Sequence, residues 1–497
     1  MPKQSISITT LSRGEASPDL AGRADFDAYR KSALRIYNMR PIATGGIARR
    51  DGLKFDADAA GARLAIPFEA SDGTSHLFLL SPLSIEAVDT GGARRASLAS
   101  SFGADDIAMV RWAQKGDETH LVCATKPPCR IAYTPHLKAF TISGWEFAKR
   151  AGGDFSTRPF ARFPATSGVR LRPSAASGTA TIEADSPIFA PGHIGSLLSI
   201  NGGQALVSSV AGNRMSATAQ VKHPLSSAGE WTDDWREQAF STARGWPASI
   251  TFHQNRMVIG GSRDLPNRIW LSKTAEHDNF DLGDGLDDEA IEFDILSDKG
   301  HRISSVFSGK HLLVFTSEGE FMVGGAPMTP TSVSIREQTG IGSPAERNIP
   351  PRFVEGSVIF TARNGREVRE FVYGEIEGGY ESRDLAALSS HLLVRPAWQE
   401  YDKAERILYI INEDGTCACL SLNKALDFEA WFQYETDGKF VSAAFAGGKM
   451  FFIVERGGAC LLEHLDKDAT ADSCACADTE SFALSIGGLG HLEGREV

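Results

Sequence analysis

The stretch GWPASITFHQNRMVIGGSRDLPNRIWLSKTAEHDNF, residues 245–280, decides the fold of this chain. Its apolar and β-branched runs predict three short strands, at Ser249–Phe252, Arg256–Ile259 and Arg268–Ser272. Gln254-Asn255 and the polar segment 262–267 separate them, and their Asn, Asp, Gly and Pro residues supply turn conformations. One sheet of this size cannot bury both of its faces, so it requires neighbours of the same kind.

Similar units recur along the chain, each with two apolar strands around a tight turn and then a more polar strand. Asn364-Gly365 and Asp414-Gly415 are strong hairpin turns because both residue types tolerate positive φ. The units start about 40 to 50 residues apart, the blade period of a β-propeller. They lie at residues 63–88, 106–142, 302–325, 352–373, 392–423 and 440–465.

A long array of β-sandwiches would also give repeated hairpins. The short apolar runs with Gly beside them, at Ile259–Gly261 and Val323–Gly325, are interpreted as innermost strands and favour the propeller. The predicted fold class is therefore all-β, a propeller of six or seven blades.

Composition agrees with this fold and narrows the function. The chain has 497 residues with 49 Gly and 22 Pro, and one amphipathic helix is predicted at Asp25–Tyr37. It opens without a secretory leader and has no apolar run of membrane-spanning length, which predicts a soluble protein made in the cytoplasm. Seven cysteines, several in predicted strands, suit a reducing compartment. A net charge of -12 argues against a surface that holds nucleic acid through its phosphates.

The interval between the second and third units is too long for a loop and predicts an inserted small β-barrel module. Short strands at Ser174–Gly178 and Gly229–Asp234 are expected to bracket it, with Gly202-Gly203 and Gly212-Asn213 as hairpin turns. The predicted division is an N-terminal platform containing the helix (1–60), a first propeller part (61–172), the module (173–241), the main propeller part (242–466) and a C-terminal segment (467–497). Two interpretations of that last segment stay open: it is the start of a truncated β-domain, or this chain is a short one of its kind.

Across about 360 residues the order of motifs resembles the nozzle proteins of short-tailed bacteriophages, the tail tubular protein B family. LSRGEASPDLAGRADFDAYRKSALRIYNMRPIATGGIARRDGLKF, residues 11–55, is similar to the opening of that family. The module resembles the small barrel compared with a domain of ubiquitin-activating enzyme. Related chains often continue past a segment like His491-Leu492-Glu493-Gly494, and residues 469–477 have no counterpart in the family. Further matching segments are residues 189–195, Trp235, 245–247, 252–256, 260–261, 269–273, 287–288, 329–330 and 365–370.

This resemblance implies a structural virion protein with no cofactor. Nozzle subunits form a homo-oligomeric ring, usually a hexamer, below the portal and the adaptor, and double-stranded DNA passes through it during ejection. Tail fibres or spikes are the further partners, and the location is the virion tail, assembled in the host cytoplasm. We expect the module to point outward, where fibres attach.

Two groups of residues are predicted to contribute to these roles. The adaptor contact is predicted at Asn38, Pro41, Gly45, Gly46, Arg49 and Arg50. A bore that passes DNA should be acidic so that it does not hold phosphates, and its candidate residues are Asp281, Asp284, Asp287 and Asp288, with residues 375–381 as a further acidic segment.

Catalysis and metal binding are weaker interpretations. The sequence has no G-x-S-x-G, no phosphate-binding G-x-x-x-x-G-K-[ST] and no H-E-x-x-H motif. The acidic segment 281–294 does not have the spacing of a twelve-residue calcium loop, so solvated carboxylates are expected. Cys417 with Cys419, and Cys474 with Cys476, lack zinc spacing and are interpreted as small core residues. The functional alternatives are a non-viral interaction propeller and a glycan-binding or glycan-cleaving tail protein.

Overall fold

The computed structural model describes residues 10–21, 27–344, 347 and 349–474. Nearly all regular structure in these residues is β-strand. No helix in this part of the chain has the length and apolar character needed to cross a membrane. The α-helices are Asp27–Arg30 and Ala104–Ile107, and single 3-10 turns lie at Pro18–Leu20, Pro164–Thr166, Pro191–His193, Ser390–Leu392 and Lys424–Leu426.

Seven sheets within the described residues each contain four antiparallel strands in which successive strands along the chain pair, except that the fourth strand of the last sheet is Gly52–Asp58. This up-and-down order is that of propeller blades, so the predicted all-β propeller is confirmed, with seven blades. Blade 1 is Leu64–Glu69, Ser75–Ser81, Ser84–Asp89 and Arg94–Ala99, and blade 2 is Arg111–Lys115, Glu118–Cys123, Lys126–Thr134 and Ala139–Gly144. Blade 3 is Ser249–His253, Arg256–Gly260, Arg268–Leu271 and Ile291–Asp294, and blade 4 is Ile303–Ser308, Leu312–Thr316, Glu320–Gly324 and Ser334–Thr339. Blade 5 is Arg352–Val354, Ser357–Thr361, Val368–Gly374 and Gly379–Asp384, and blade 6 is Pro396–Asp402, Ile407–Asn412, Cys417–Asn423 and Phe428–Tyr434. Blade 7 is Lys439–Ala446, Lys449–Arg456 and Ala459–Asp466, with Gly52–Asp58 as its fourth strand.

The chain divides into two compact units. Unit 1 takes the described residues of Met1–Ala108, Ala132–Thr141 and Ile341–Val497, and unit 2 takes Met109–Ile131 and Ile142–Gly340. In unit 1 the first strands of blades 5, 6, 7 and 1 contact one another in succession, and in unit 2 those of blades 2, 3 and 4 do so. Apolar clusters fill the space between neighbouring blades, as in the cluster that contains Val258 of blade 3 and Leu312 of blade 4. The core of each unit therefore lies between its sheets.

The glycines beside the apolar strands have a different role from the one predicted. Ile259–Gly261 belongs to the second strand of blade 3 and its end, and Val323–Gly325 to the third strand of blade 4 and its end, so neither is innermost. A Cβ at Gly260 would lie 2.6 Å from Cγ1 of Val306 in the next blade. Glycine here permits close approach of two sheets.

The predicted helix at Asp25–Tyr37 is wrong beyond one turn. The helix is confined to Asp27–Arg30, and Ser32–Ala33 forms a parallel strand with Gly14–Glu15, which in turn joins the outer strand of blade 6. Hydrogen bonds to distant strands have overridden a local helical pattern. Asp25 and Phe26 lie outside the described residues.

The predicted platform 1–60 also includes part of the propeller. Gly52–Asp58 pairs antiparallel with Ala459–Asp466, from Leu461↔Asp58 to Asp466↔Gly52. A deletion that removed residues 1–55 would therefore remove about half of the fourth strand of blade 7, and only the part before Gly52 is separable from the blade.

The inserted module is a seven-stranded sheet with its own core. Leu171, in one edge strand of the sheet, and Thr232 exchange backbone hydrogen bonds of 2.9 and 2.7 Å. Thr232 lies just before Trp235–Gln238, which is next to the opposite edge strand, so the two sides of the sheet are joined. The two predicted bracketing strands do not form, and the sheet begins at Phe160, before the predicted Pro173. In spatial order its strands are Phe160–Ala161, Trp235–Gln238, Leu197–Ile200, Gly203–Val210, Ser216–His223, Thr179–Ala184 and Leu171–Pro173.

A buried ionic cluster joins the module to blade 3. Glu237 accepts hydrogen bonds from Arg244 at 2.8 and 2.6 Å and lies 3.0 Å from Nε2 of His193. Arg244 also lies 3.6 Å from the Asp264 carboxylate. Burial alone would raise the pKa of Glu237, but the hydrogen bonds from His193 and Arg244 outweigh it and hold the pKa below its usual value. Because the carboxylate is fully partnered, this joint fixes the module in one place.

Excision of the module tests these boundaries. Phe160–Ala161 pairs with Glu237–Gln238, so residues 164–234 can be replaced by a short Gly-Ser linker between adjacent strands. We expect this variant to remain soluble and to keep the β-sheet circular dichroism of the propeller. Deletion of 173–241 should instead give insoluble protein, because it removes Ala239 and Phe240 from the core that contains Trp145. Equal behaviour of the two deletions would contradict the observed boundary.

Buried histidines predict acid sensitivity. Burial lowers the pKa of His120 to about 4, helped by the positive charges of Arg130 and His277, and burial lowers the pKa of His253 to about 4 as well. As the pH falls from about 6.5 toward 4, the unfolded chain takes up protons at these imidazoles while the folded chain does not. Stability should fall over this window by about 3 kcal/mol for each histidine.

The measurement is the urea midpoint of tryptophan fluorescence at several pH values. His120→Gln should flatten the decrease between pH 6.5 and 4 relative to wild type. His136→Gln, at an exposed turn, is the matched control and should leave the slope unchanged. A slope that is identical in all three proteins would show that His120 does not titrate as described.

Candidate functional site

A two-stranded hairpin before Gly52 is the candidate interaction surface. Met39–Pro41 pairs antiparallel with Ile47–Arg49. The turn is closed by two 2.9 Å hydrogen bonds, from the Ile42 amide to the Gly46 carbonyl and from the Gly45 amide to the Ile42 carbonyl. Gly45 has φ +102°, a conformation that side-chain-bearing residues rarely adopt. Gly45-Gly46 therefore shapes the tip of the hairpin.

The hairpin is fixed to blade 6 at its base. Asn38, at φ +51°, donates its amide to the Gln433 carbonyl (2.9 Å), and its side-chain oxygen accepts from the Glu435 amide (3.0 Å). Arg40 Nη1 lies 2.5 Å from the Glu405 carboxylate. Asn38 tolerates the left-handed region and its side chain caps the end of a strand, so its role is to hold the turn into the hairpin. Its polar groups are engaged within the chain.

Arg50 anchors the other end of the hairpin. Its guanidinium donates to both oxygens of Asp472, at 2.8 and 2.7 Å, and lies 5.5 Å from the centre of the Tyr434 ring. Burial would raise the pKa of Asp472, but the hydrogen bond and charge of Arg50 outweigh it and lower the pKa. Asp472 also accepts from the Leu53 amide and the Thr436 hydroxyl. This fork-shaped pair ties residues 50–53 to the described end of the chain.

The strand before the hairpin explains the opening motif. A Cβ at Gly14 would lie 2.2 Å from backbone atoms of Trp431, so only glycine fits against blade 6. The buried Glu15 carboxylate accepts from the Ile36 amide at 2.6 Å and lies 2.9 Å from Nε2 of His391. Gly14-Glu15 therefore clamps the N-terminal segment to blade 6.

The hairpin region presents an apolar surface, which we call the apolar hairpin surface. Of sixteen large apolar side chains exposed in the described residues, five fall within residues 34–47. Three of them lie on the hairpin and two in the segment just before it. Such a concentration of exposed apolar side chains is typical of a protein-binding surface. The five are Leu34 (68% exposed), Tyr37 (40%), Met39 (36%), Ile42 (36%) and Ile47 (41%).

The predicted adaptor residues divide into structural and turn positions. Asn38 and Arg50 hold the hairpin, and Pro41 is buried. Arg49 is exposed, and its Nη1 donates to the Ala469 carbonyl at 3.0 Å. The structure brings all six residues together on or beside one hairpin, but sequence reasoning missed the exposed apolar side chains that accompany them. Apolar side chains on both sides of a Gly-Gly turn were the available signal.

The predicted bore carboxylates lie in one loop of unit 2, and the structure pairs two of them. Asp281 hydrogen bonds to Arg150, which lowers the pKa of its carboxyl group, and Asp288 lies 3.2 Å from Lys273. Asp284 and Asp287 are exposed and form no ion pair with described residues. The buried Arg256 side chain supports the loop by donating to the carbonyls of Asp287 and Glu289, at 2.8 and 2.6 Å. The loop is thus an ordered acidic projection.

Cys417 and Cys419 lie in the core, as predicted. Cys417 and Cys419 are fully buried in blade 6 with their sulfurs 3.9 Å apart, and burial raises the pKa of Cys419 well above its usual value. Cys474 is partly buried, and Cys476 lies outside the described residues. Among the residues that the structure describes, no three His, Cys, Asp or Glu side chains are grouped to hold a metal ion.

Comparison with known proteins finds solved structures that align with most of this chain at low similarity. No protein-family model and no curated protein sequence matches the chain. The WD40 repeats of RRP9 align with 83% of this chain and 100% of that chain, at 8% identity and a TM-score of 0.41. YCF48 bound to D1 peptide covers 84% and 98%, at 10% identity and 0.38, and streptogramin B lyase covers 84% and 98%, at 10% identity and 0.33. Because these scores are below 0.5, the propeller assignment rests on the sheets described above.

The Arg50–Asp472 pair gives a stability prediction. Arg50→Ala should lower the free energy of unfolding by about 2–4 kcal/mol, because it leaves the Asp472 carboxylate without its charged partner. Arg49→Ala, the matched neighbour, loses one surface hydrogen bond and should cost about 1 kcal/mol or less. Urea unfolding followed by tryptophan fluorescence measures both. Equal losses in the two variants would mean that the buried pair does not anchor the hairpin.

Proposed function

We propose that this chain is a subunit of the tail nozzle of a short-tailed bacteriophage, a virion protein that acts by assembly. Copies form a ring below the portal and adaptor, through which double-stranded DNA leaves the capsid. The apolar hairpin surface binds the adaptor, and the barrel module, 160–238, provides an attachment surface for fibres. The protein is made in the host cytoplasm and ends in the virion tail.

The observation that carries the proposal is the apolar hairpin surface on a rigid support. A two-stranded ribbon is only marginally stable alone, yet this one is tied to blade 6 through Asn38 and to the described C-terminal residues through Arg50. Exposed apolar groups on a rigid element lose little conformational entropy when they bind a protein. The platform predicted for the adaptor therefore has the physical character of a docking element.

The segments that resemble the nozzle family also have architectural roles, which supports the same proposal. Gly14-Glu15 attaches the N-terminus to blade 6, Gln254-Asn255 makes the first turn of blade 3, and Arg256 holds the acidic loop. Gln254 and Asn255 have φ of +44° and +59°, as a tight hairpin between twisted strands requires. The segments that carry the resemblance are therefore ones on which the fold depends.

An acidic bore suits passage of DNA. Six copies with a net charge of -12 each would carry about -72, and charge in a narrow bore is focused. We place the carboxylates of 281–288 and 375–381 among the residues that keep DNA from binding. No catalytic step is proposed, since the resemblance and the apolar hairpin surface both point to binding.

Electron microscopy of the purified protein tests the ring directly. We expect closed rings with six-fold symmetry, and a gene that lies beside portal, adaptor and capsid genes. Trimers would favour the tail-fibre alternative, and a monomer from a locus without virion genes would favour the non-viral interaction propeller.

Variants of the apolar hairpin surface test the docking role. Met39→Asp combined with Ile47→Asp should fold and form rings but fail to join adaptor-bearing capsids, because the charges cannot be buried at an interface. Leu426→Asp, at another exposed apolar residue (60% exposed), is the matched control and should join normally. Electron microscopy of assembled particles counts those with nozzles. Normal joining by the double variant would exclude the hairpin as the adaptor contact.

A further inference from the structure

A cleft in unit 1 lies outside the surfaces proposed above to bind the adaptor, the fibres or DNA. It has a volume of about 780 Å³ and lies between the turn after the second strand of blade 5 and the segment that leads into blade 6. Asn364, Gly365 and Arg366 form one wall, and Ser390 to Pro396 contributes another. Ser17 closes one side, held by a 2.7 Å hydrogen bond from its amide to the Leu388 carbonyl. We call it the arginine cleft.

The arginine cleft concentrates positive charge on an acidic protein. Its described lining contains Arg347, Arg363, Arg366 and Arg395, with Asp19 as the lining carboxylate. Arg347 and Arg395 share one carboxylate, Glu413, at 2.9 and 3.2 Å. The exposed guanidinium of Arg366 forms no ion pair with described residues. Among the described residues of the lining, Arg366 therefore offers a charged, exposed guanidinium to an anionic ligand.

The cleft also has an apolar wall. Pro344, Ile349, Leu393 and Val394 line it, and Val394 is 45% exposed. A ligand that combines carboxylates with an apolar side chain would satisfy both parts. The phosphate backbone of DNA supplies charge but no apolar side chain, so these observations favour a peptide segment over nucleic acid.

The chain itself carries a segment of that chemistry, Gly283–Asp288 in unit 2, which we call the acidic tip. Its residues are all exposed, and the carboxylates of Asp284 and Asp287 lack ion-pair partners among described residues. Between them Leu286 is 60% exposed. The Arg256 hydrogen bonds order the loop behind the tip, which lowers the entropy lost on binding.

We propose that the arginine cleft of one copy binds the acidic tip of a second copy. A ring made from one kind of chain requires a head-to-tail contact between two different surfaces, and the cleft and the tip are such a pair, one in each unit. The opposite charges determine which surfaces bind each other and how the acidic tip is aligned in the cleft. Leu286 packs against the apolar wall. The inference rests on the proposed ring, and it moves Asp284 and Asp287 from the bore to a subunit contact.

A peptide experiment tests the cleft without requiring a ring. The probe is a fluorescein-labelled peptide of residues 280–290, and its control carries Asp284→Asn and Asp287→Asn. Fluorescence anisotropy with the full chain should show binding of the acidic peptide that weakens as salt increases. We expect the control peptide, and the chain variant Arg366→Glu with Arg395→Glu, each to bind about tenfold or more weakly.

A charge exchange tests the contact in the assembled protein. Arg366→Glu or Asp287→Arg alone should reduce the fraction of rings in light scattering and native mass spectrometry, and the two changes in one chain should restore it. Asp298→Arg is the matched control, since it reverses an exposed carboxylate of unit 2 that lies two residues from another exposed apolar residue, Leu296. It should leave the rings intact.

The outcomes separate this inference from the proposed function. Wild-type rings that ignore both single reversals, with no peptide binding, would overturn the contact and leave the nozzle ring standing. Peptide binding at the cleft without wild-type rings would support the cleft and contradict the nozzle proposal. A DNA duplex that displaces the peptide from wild type but does not bind the Arg366→Glu, Arg395→Glu chain would identify a nucleic-acid site and overturn the inference.

Discussion

The antiparallel pairing of Gly52–Asp58 with Ala459–Asp466 is the constraint on which the rest of unit 1 depends. Without it blade 7 would have three strands and an unpaired edge, which invites aggregation. The pairing is specified by more than backbone hydrogen bonds, since His464 Nδ1 lies 2.7 Å from the Asp56 carboxylate. The fully buried Arg456–Glu463 ion pair (2.7 Å) joins the second and third strands of blade 7, Lys449–Arg456 and Ala459–Asp466. Early and late parts of the sequence therefore fold as one sheet.

This pairing also determines where the segment before Gly52 can lie. Arg50 is held by Asp472 just before the strand begins, and the chain preceding it runs along the outer strand of blade 6 through Asn38 and Gly14. The hairpin 39–49 is what remains between these two attachments. Its base and its end are held by hydrogen bonds and an ion pair, so its apolar side chains are not needed to attach it and stay exposed. The way in which the chain completes blade 7 therefore leaves a surface that can bind a partner.

The accuracy of sequence reasoning followed the range of the interactions involved. Tight turns such as Gln254-Asn255 and the strands beside them were predictable because turn chemistry and alternation act locally. The helix at Asp25–Tyr37 failed, since Ser32–Ala33 takes its hydrogen bonds from a strand that is not adjacent in sequence. The fourth strand of blade 7 was missed for the same reason. Of the candidate site, the hairpin was located correctly, but the inward roles of Asn38 and Arg50 depend on Glu435 and Asp472, about 400 residues away.

The distribution of charge is where the fold and the proposed assembly meet. Copies with a net charge of -12 repel one another. Stable association therefore needs local surfaces that are either positively charged or apolar. The described residues offer one of each kind, the arginine cleft and the apolar hairpin surface. Elsewhere arginines are largely neutralised within the chain, as Arg150 is by Asp281 and Arg268 by Asp294 at 2.6 Å. Positive charge left unpaired on such a protein is therefore informative about where another molecule binds, and Arg366 is the residue at which that reasoning is sharpest.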